Sequence, residues 1–435
     1  MIDTRPLIVG AGPAGLRAAI TLSDAGLHPV LVDHAPGIGG AVYANLRAQP
    51  NLTPKLTREA RILRQDFDRV RPRVDLRLST AFAAFDQTGT ALLTGQAGMM
   101  FKPRAVIFAT GARERIQPRP GWTLAGVSSA GALQIALKTT GTLPLGRLLL
   151  AGTGPLLYAI AAQMVAAGRA PVAVIETGNP LRHPLMALRL PARVLTEATR
   201  YMGRLLLAGV PILSGTDLTR IETRNGALIA HTSRQGRWAE IAVDHIGLHD
   251  GLARNDFGIS AEMTGQTPVF QAGDCRSVLG RWAAEDDGKR AAEQVLHALK
   301  ATPGRAAIAP DQRFVKTQTL LAKLFARAPS LAAPDLPDDT VICRCENRSL
   351  GDLKQALQAA SEQTQTTART LRLTERFGMG PCQGRQCLDW VTALTADTTS
   401  FADLRGNRWP IKPVRVRDIL DAPDFTVDPS HQDLK

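Results

Sequence analysis

The chain's 435 residues exceed what one hydrophobic core holds and predict two to four domains. Its 44% hydrophobic and 21% charged residues, with 38 glycines and 28 prolines spread along the chain, describe a soluble globular protein and exclude low-complexity classes. The 52 Lys and Arg against 39 Asp and Glu give a net charge of +13, but no basic run with interleaved aromatics occurs, so nucleic acid is not an expected partner and an acidic protein suits the charge better.

The first predicted strand starts at Leu7, which leaves no room for a signal peptide, and the expected location is the cytoplasm, with attachment to the inner membrane face left open. Residues 7–20 read Leu-Ile-Val-Gly-Ala-Gly-Pro-Ala-Gly-Leu-Arg-Ala-Ala-Ile, and Asp33 closes the next apolar run. Gly10 permits a tight turn, Gly12 lets backbone approach a pyrophosphate, and Gly15 brings helix against strand, while the helix N-terminus offers N–H groups to an anion. Asp33 stands where a carboxylate accepts from ribose hydroxyls.

Two later segments, Ala105-Val-Ile-Phe-Ala-Thr-Gly111 and Thr267-Pro-Val-Phe-Gln-Ala-Gly-Asp274, resemble the remaining FAD signatures of the two-dinucleotide-binding flavoproteins. The resemblance implies FAD held by Gly10, Gly12, Pro13, Ala14, Gly15, Asp33, Gly39, Gly40, Ala109, Thr110, Gly111, Gly273 and Asp274, with Asp274 near the ribityl chain.

A second strand, turn and helix begins at Leu148 and carries Gly152 and Gly154, and Glu176 ends the strand after it. The stretch from Leu148 to Gly168 is uncharged, but its glycines and Pro155 break it, so it predicts a buried strand and helix and no transmembrane segment. In the resembling reductases this inserted domain binds NAD(P)H. Here Leu157 replaces the third glycine and Pro155 removes an N–H, so the expectation is a damaged site in which Glu176 leaves only an adenine nucleotide open. No cysteine precedes Cys275, which excludes a dithiol mechanism near the flavin, and Cys275 itself reads as a small buried residue. His245 and His249 share a strand face, but no third ligand accompanies them, and a solvent-facing or hydrogen-bonded role is expected over metal binding.

After residue 300, prolines mark a linker with one helical piece from Thr317 to Arg327. Cys343-Arg-Cys345 and Cys382-Gln-Gly-Arg-Gln-Cys387 follow, with Ser349 placed to cap a helix between them. Four thiolates in two close pairs suit zinc or an iron–sulfur centre, and C-x-C plus C-x4-C with neighbouring glycines points to the latter. The run Gly378-Met-Gly-Pro-Cys-Gln-Gly-Arg385 resembles the 2Fe-2S domain of the bacterioferritin-associated ferredoxin type, which implies Cys343, Cys345, Cys382 and Cys387 as ligands.

Across nearly its whole length, including Thr123–Gln134 and Trp409–Val414, the chain resembles the alpha subunits of heteromeric amine dehydrogenases: the opine oxidases, hydrogen cyanide synthase and the proline or hydroxyproline dehydrogenases. One departure is Ala41, where family members often carry Gln after the glycine pair. The resemblance implies an α/β fold of nested nucleotide-binding domains: 1–115 with 244–300 for FAD, 116–243 inserted, 301–338 a linker, 339–398 for the 2Fe-2S centre, and 399–435 a tail. It implies a catalytic beta subunit with its own flavin, a small ferredoxin-like subunit, and a relay of electrons to a further acceptor. No substrate-handling constellation stands out, so no catalytic residue is assigned; the alternative reading is an NAD(P)H-dependent reductase sending electrons outward through the cluster.

Overall fold

The apolar triplet Leu7–Val9 forms β1, the middle strand of a five-stranded parallel sheet. The computed structural model describes residues 5–46, 56–85, 89–96, 98–256, 258–259, 267–300, 311–326, 336–361, 368–394, 410–411 and 413–420. From β1 the chain runs through helix α1 (Pro13–Asp24), β2 (Val30–Val32), α2 (Arg58–Val70) and β3 (Asp75–Arg77). It then makes an antiparallel layer of β4 (Thr80–Phe85), β5 (Ala91–Gly95) and β6 (Met99–Phe101), returns as β7 (Val106–Phe108), and leaves through β8 (Ala112–Glu114). Side-chain alternation sets the layers. Ile8, Leu31 and Ile107 point at α1 and α2, whereas Leu7, Val9, Val30, Val32, Val106 and Phe108 point at Phe82 and Phe85 of the antiparallel layer.

The inserted part repeats this plan. It comprises β9 (Val127–Ser129), α3 (Ala130–Thr140), β10 (Leu148–Gly152), α4 (Pro155–Ala166), β11 (Ala173–Glu176), a short α5 (Pro184–Ala187), α6 (Ala192–Leu207) and β12 (Ile212–Ser214). A meander of β13 (Asp217–Arg224), β14 (Ala227–Arg234) and β15 (Arg237–Val243) follows, and then β16 (His245–His249). The parallel order is β12-β11-β10-β16-β9, with Leu148, Leu150 and Val174 facing the helices and Leu149, Ala151 and Ile175 facing the meander. The stretch 148–168 is thus strand and helix, and among the described residues no helix is long and apolar enough to cross a membrane.

The return to the first sheet comes later than residue 244. β16 pairs with β10 from Leu148↔His245 to Gly152↔His249, because Ile246 and Leu248 fill the second core. Crossing back occurs at β17 (Leu252–Arg254), antiparallel to β8. There the buried Arg119 and Asp250 pair at 2.5 Å, and Asp250 also accepts from the Gln117 N–H at 2.8 Å.

Strand β18 (Val269–Gln271) completes the first sheet, and α7 (Arg281–Lys300) packs across α1. The linker helix is α8 (Gln312–Leu324), which starts earlier than Thr317 because the Asp311 carboxylate accepts from the Arg313 N–H and caps it. Beyond it, β19 (Val341–Cys343) and β20 (Arg348–Ser349) form a hairpin. Helices α9 (Leu350–Ser361), α10 (Ala368–Glu375) and α11 (Leu388–Leu394) close a small core around Leu353, Phe377 and Val391. Ser349 caps α9 reciprocally with Asp352, at 3.1 and 2.8 Å. A last helix, α12 (Val416–Leu420), lies by β5, whereas Trp409 and most of the tail fall outside the described residues.

The tightest helix contact is where α7 crosses α1. A Cβ on Gly288 would lie 2.1 Å from the Ala14 carbonyl oxygen, so Gly288→Ala forces the helices apart and should lower stability by about 1–3 kcal/mol. Gly203→Ala in α6 meets open space and should be neutral or stabilising by up to about 1 kcal/mol. Urea-unfolding midpoints of the two variants check the contrast.

Candidate functional site

The first glycine turn sits at the carboxyl end of β1, where an open α/β sheet leaves a crevice for a ligand. Gly10 adopts φ +109°, and a Cβ there would come within 2.4 Å of the Ala109 carbonyl oxygen. One on Gly15 would fall 1.8 Å from the Gly10 carbonyl oxygen, so turn and helix approach as only glycine allows. Gly12 is the N-cap of α1 and Pro13 its first residue. Ala14 is wedged against Gly273 and Gly288. Gly39 and Gly40, at φ +107° and +59°, bring a second backbone to the turn: the Gly39 N–H donates to the Ala11 carbonyl at 2.8 Å, and a Cβ on Gly40 would sit 3.0 Å from the Gly12 Cα. Gly12 itself meets nothing nearer than Gly40, so a cradle of bare backbone stays open at the helix N-terminus.

Around this cradle the structure gathers the other sequence-predicted residues. Asp33, 7% exposed, accepts from the N–H groups of Ala11 at 2.7 Å and Ala35 at 2.8 Å. The Ala109 N–H donates to Val9, the Thr110 hydroxyl donates to the Asn255 carbonyl at 2.6 Å, and Gly111 turns the chain at φ +73°. The Gly273 N–H is held by Asp287 at 2.8 Å. Asp274 accepts from the N–H groups of Leu279 and Gly280 at 3.0 and 3.1 Å, and burial raises its pKa against their pull. Cys275 is fully buried, and burial pushes its thiol up to about 11, which makes it an inert core residue.

Sequence reasoning missed Lys138. This α3 residue is 8% exposed and its Nζ donates to the carbonyls of Val42 at 3.0 Å and Ala41 at 3.4 Å, the residues directly after the Gly39-Gly40 pair. Burial, and then the nearby Arg281, depress its pKa to about 8. Arg281, the first residue of α7, pairs with Glu197 of α6, and Arg193 stacks over Trp282 at 4.3 Å. Side chains of the inserted part therefore flank the first crevice. The available signal was a lone cation after the mostly apolar stretch Leu133-Gln-Ile-Ala-Leu137 in α3, but its carbonyl partners are distant in sequence.

The second turn has the same outline, with Gly152 at φ +142° and Gly154 at +111°. Leu157 does not disrupt it: the side chain is fully buried among Leu150, Ile160 and Val174. Glu176, also fully buried, accepts from the N–H groups of Gly154 at 3.0 Å and Gly178 at 2.8 Å and lies 2.7 Å from the Thr153 hydroxyl. Burial raises its pKa. His249 shares a 2.6 Å hydrogen bond between Nδ1 and Glu114, whose carboxylate also accepts from the Gly131 N–H. Of the two roles expected for this histidine, solvent-facing or hydrogen-bonded, the structure shows the second.

The four C-terminal cysteines come together in two pairs. Cys343 lies beside Cys387, and Cys345 beside Cys382. Among the described residues no group of three or more His, Cys, Asp or Glu is arranged to hold a metal ion. The donor chemistry nevertheless fits a thiolate-bound centre. The neighbouring Cys387 thiol and the N–H groups of Glu346, Gly378 and Cys345 lower the pKa of Cys343, whereas Cys387 is pushed up by Cys343 and burial and Cys345 by burial, and a Cβ on Gly380 would lie 2.4 Å from the Cys345 Cβ. The small domain docks beside the crossover strands through Trp122 Nε1, which donates to the Val341 carbonyl at 2.7 Å, and through Arg113 with Asp389 at 3.0 Å.

Residues 4–301 match the pyridine nucleotide-disulphide oxidoreductase family. The chain belongs to that family. An opine oxidase subunit from Rhizobium meliloti is 30% identical over 95% of this chain and 98% of its own length. Hydrogen cyanide synthase subunit HcnB of Pseudomonas aeruginosa is 31% identical over 95% of this chain and 97% of its own. L-proline dehydrogenase from P. horikoshii shares the fold at a TM-score of 0.62 and 18% identity, covering 95% of this chain and 78% of that one. Thioredoxin reductase from T. acidophilum, with a TM-score of 0.51 and 18% identity, aligns with 69% of this chain and all of its own.

This oxidoreductase thus has the two-dinucleotide-binding flavoprotein fold, yet within the family-matching region its one cysteine is the buried Cys275. Two thiols are needed for an intramolecular disulfide, so that half of the family's chemistry has no residues here. Lys138 offers a pH test. Its folded pKa near 8 lies below its ordinary 10.5, so between these values the unfolded chain binds a proton that the folded chain has released, and stability rises with pH. Wild type should gain about 1–3 kcal/mol over Lys138→Met between about pH 8 and 10.5. Urea titrations of both proteins at several pH values would show the gain; parallel curves would mean an unperturbed lysine.

Proposed function

We propose that this chain is the electron-transferring flavoprotein component of a heteromeric amine or amino-acid dehydrogenase of the opine type. The observation that carries the reading is similarity along 95% of the chain to proteins named as subunits, those of opine oxidase and of hydrogen cyanide synthase. The family match and the open cradle at Gly12 and Gly40 support FAD at the first turn. There the backbone of Gly10, Gly12, Pro13, Ala14 and Gly15 would line the pyrophosphate, with Gly39 and Gly40 opposite. Asp33 would accept from the ribose, Asp274 and Gly273 would meet the ribityl chain, and Ala109, Thr110 and Gly111 would bound the flavin side. Cys343, Cys345, Cys382 and Cys387 would hold a 2Fe-2S centre, for which the N–H groups around Cys343 and the glycines at 378, 380 and 384 are the support.

When bound, FAD and a 2Fe-2S centre supply two-electron and one-electron redox chemistry respectively. The chain's own residues do the placing. Asp274 orders the segment 279–280 through two N–H groups, and Lys138 and Arg281 set positive charge beside the crevice. Arg113 and Trp122 fix the cysteine domain to the crossover strands. Amine oxidation would take place in a beta subunit with its own flavin, a small ferredoxin-like subunit would complete the complex, and a separate acceptor would drain the electrons.

Reconstitution with a candidate amine-oxidising flavoprotein beta subunit tests this. Anaerobic addition of an opine or secondary amino acid should bleach the visible absorption of this chain only when that subunit is present. Cys382→Ser should lose iron and acid-labile sulfide while keeping flavin. Bleaching of the isolated chain by the amine, or rapidly by NADH, would overturn the reading.

A further inference from the structure

In open α/β sheets ligands bind beyond the carboxyl ends of the strands, and beyond those of β10 and β11 the structure places a residue of its own linker. Phe325, directly after α8, directs its carbonyl oxygen to within 3.1 Å of the Thr153 hydroxyl, between Gly152 and Gly154. The same carbonyl lies 3.0 Å from where a Cβ on Gly178 would stand, against the backbone just after Glu176. Its ring meets Tyr158 of α4 edge-on, with centroids 6.0 Å apart, and the preceding Leu324 is 3% exposed. Ribose and pyrophosphate would need this ground, since Glu176 is the acid at the ribose position and Thr153 the centre of the turn.

We infer that residues 311–326 are a built-in plug of the second glycine turn, with Phe325 standing where an adenosine phosphate would bind, so that a nucleotide reaches that turn only by displacing α8. The plug is anchored twice. In mid-helix, Gln318 Nε2 donates to the Leu279 carbonyl at 3.0 Å, in the segment whose N–H groups hold Asp274 at the first crevice. Displacing Phe325 therefore strains a contact next to the first cofactor site, and the two nucleotide turns are coupled through one helix. The inference stands apart from the proposed electron relay, because it concerns ligand access to the second turn and is read by binding alone.

Calorimetric titration of the purified full-length chain with ATP and with NADH tests it, comparing wild type with Phe325→Ala and Gln318→Ala. Phe325→Ala removes the ring that anchors the plug and should bind at least one nucleotide about tenfold more tightly than wild type. Gln318→Ala loosens the other anchor without touching the turn and should shift affinity the same way by less. Saturating nucleotide should also speed amide hydrogen exchange over 312–325 in wild type. Equal affinities in all three proteins would overturn the plug, and so would an absence of binding in all three, which would mean that the turn itself and not α8 excludes the nucleotide. Retained flavin absorption verifies folding, and if Phe325→Ala does not fold, the Gln318→Ala comparison decides.

Discussion

Helices α1 and α7 cross where Gly288 faces the carbonyl of Ala14, and a single methyl group at that point would collide with backbone. The contact joins segments far apart in sequence, and much of the molecule follows from it. With α7 held against α1, Gly273 packs on the Ala14 side chain and Asp274 arrives on the rim of the crevice that Gly10, Gly12 and Gly15 open. The start of α7 then carries Arg281 toward Glu197, so the position of the inserted part over the crevice also depends on that crossing. Close backbone approach is therefore the governing constraint, and it explains why small residues cluster at the crossing while Leu and Phe fill the layers behind it.

The chain builds the same strand, turn, helix and acid twice and ends with opposite access. Asp33 and Glu176 both turn inward to the N–H groups of their own glycine turns. At the first turn the space beyond is bounded by two bare glycine backbones; at the second the Phe325 carbonyl lies over it while the ring packs on Tyr158. Leu157 matters less than its position suggested. A larger residue at the third glycine can be absorbed into an apolar core, whereas a peptide carbonyl placed over the turn removes the vacancy a ligand requires.

The cysteine domain is tied to the body at the crossover between the two sheets. The indole of Trp122 reaches the strand that carries Cys343, and Arg113 of β8 reaches Asp389 just after Cys387. Both anchors lie beside the crossover strands, so the small domain is held at two points on one part of the scaffold. The reciprocal cap between Ser349 and Asp352 fixes the start of α9, and with it the loop that carries Cys345.

Local chemistry made a large part of this legible. The glycine turns, their acids, the capped helix at Ser349 and the buried identity of Cys275 follow from backbone sterics, strand alternation and capping, which act over a few residues and leave their pattern in the sequence. The family resemblance likewise rests on short runs such as residues 7–15 and 378–385. Tertiary structure alone decided that β16 belongs to the inserted sheet, that Lys138 is buried beside Ala41 and Val42, and that Phe325 occupies the second turn. Each of these is a contact between segments distant in sequence, in which a carbonyl or an apolar side chain of ordinary type acquires its role from where the chain brings it. Hydrogen bonding and burial at such contacts do not depend on sequence neighbours, so no local pattern announces them.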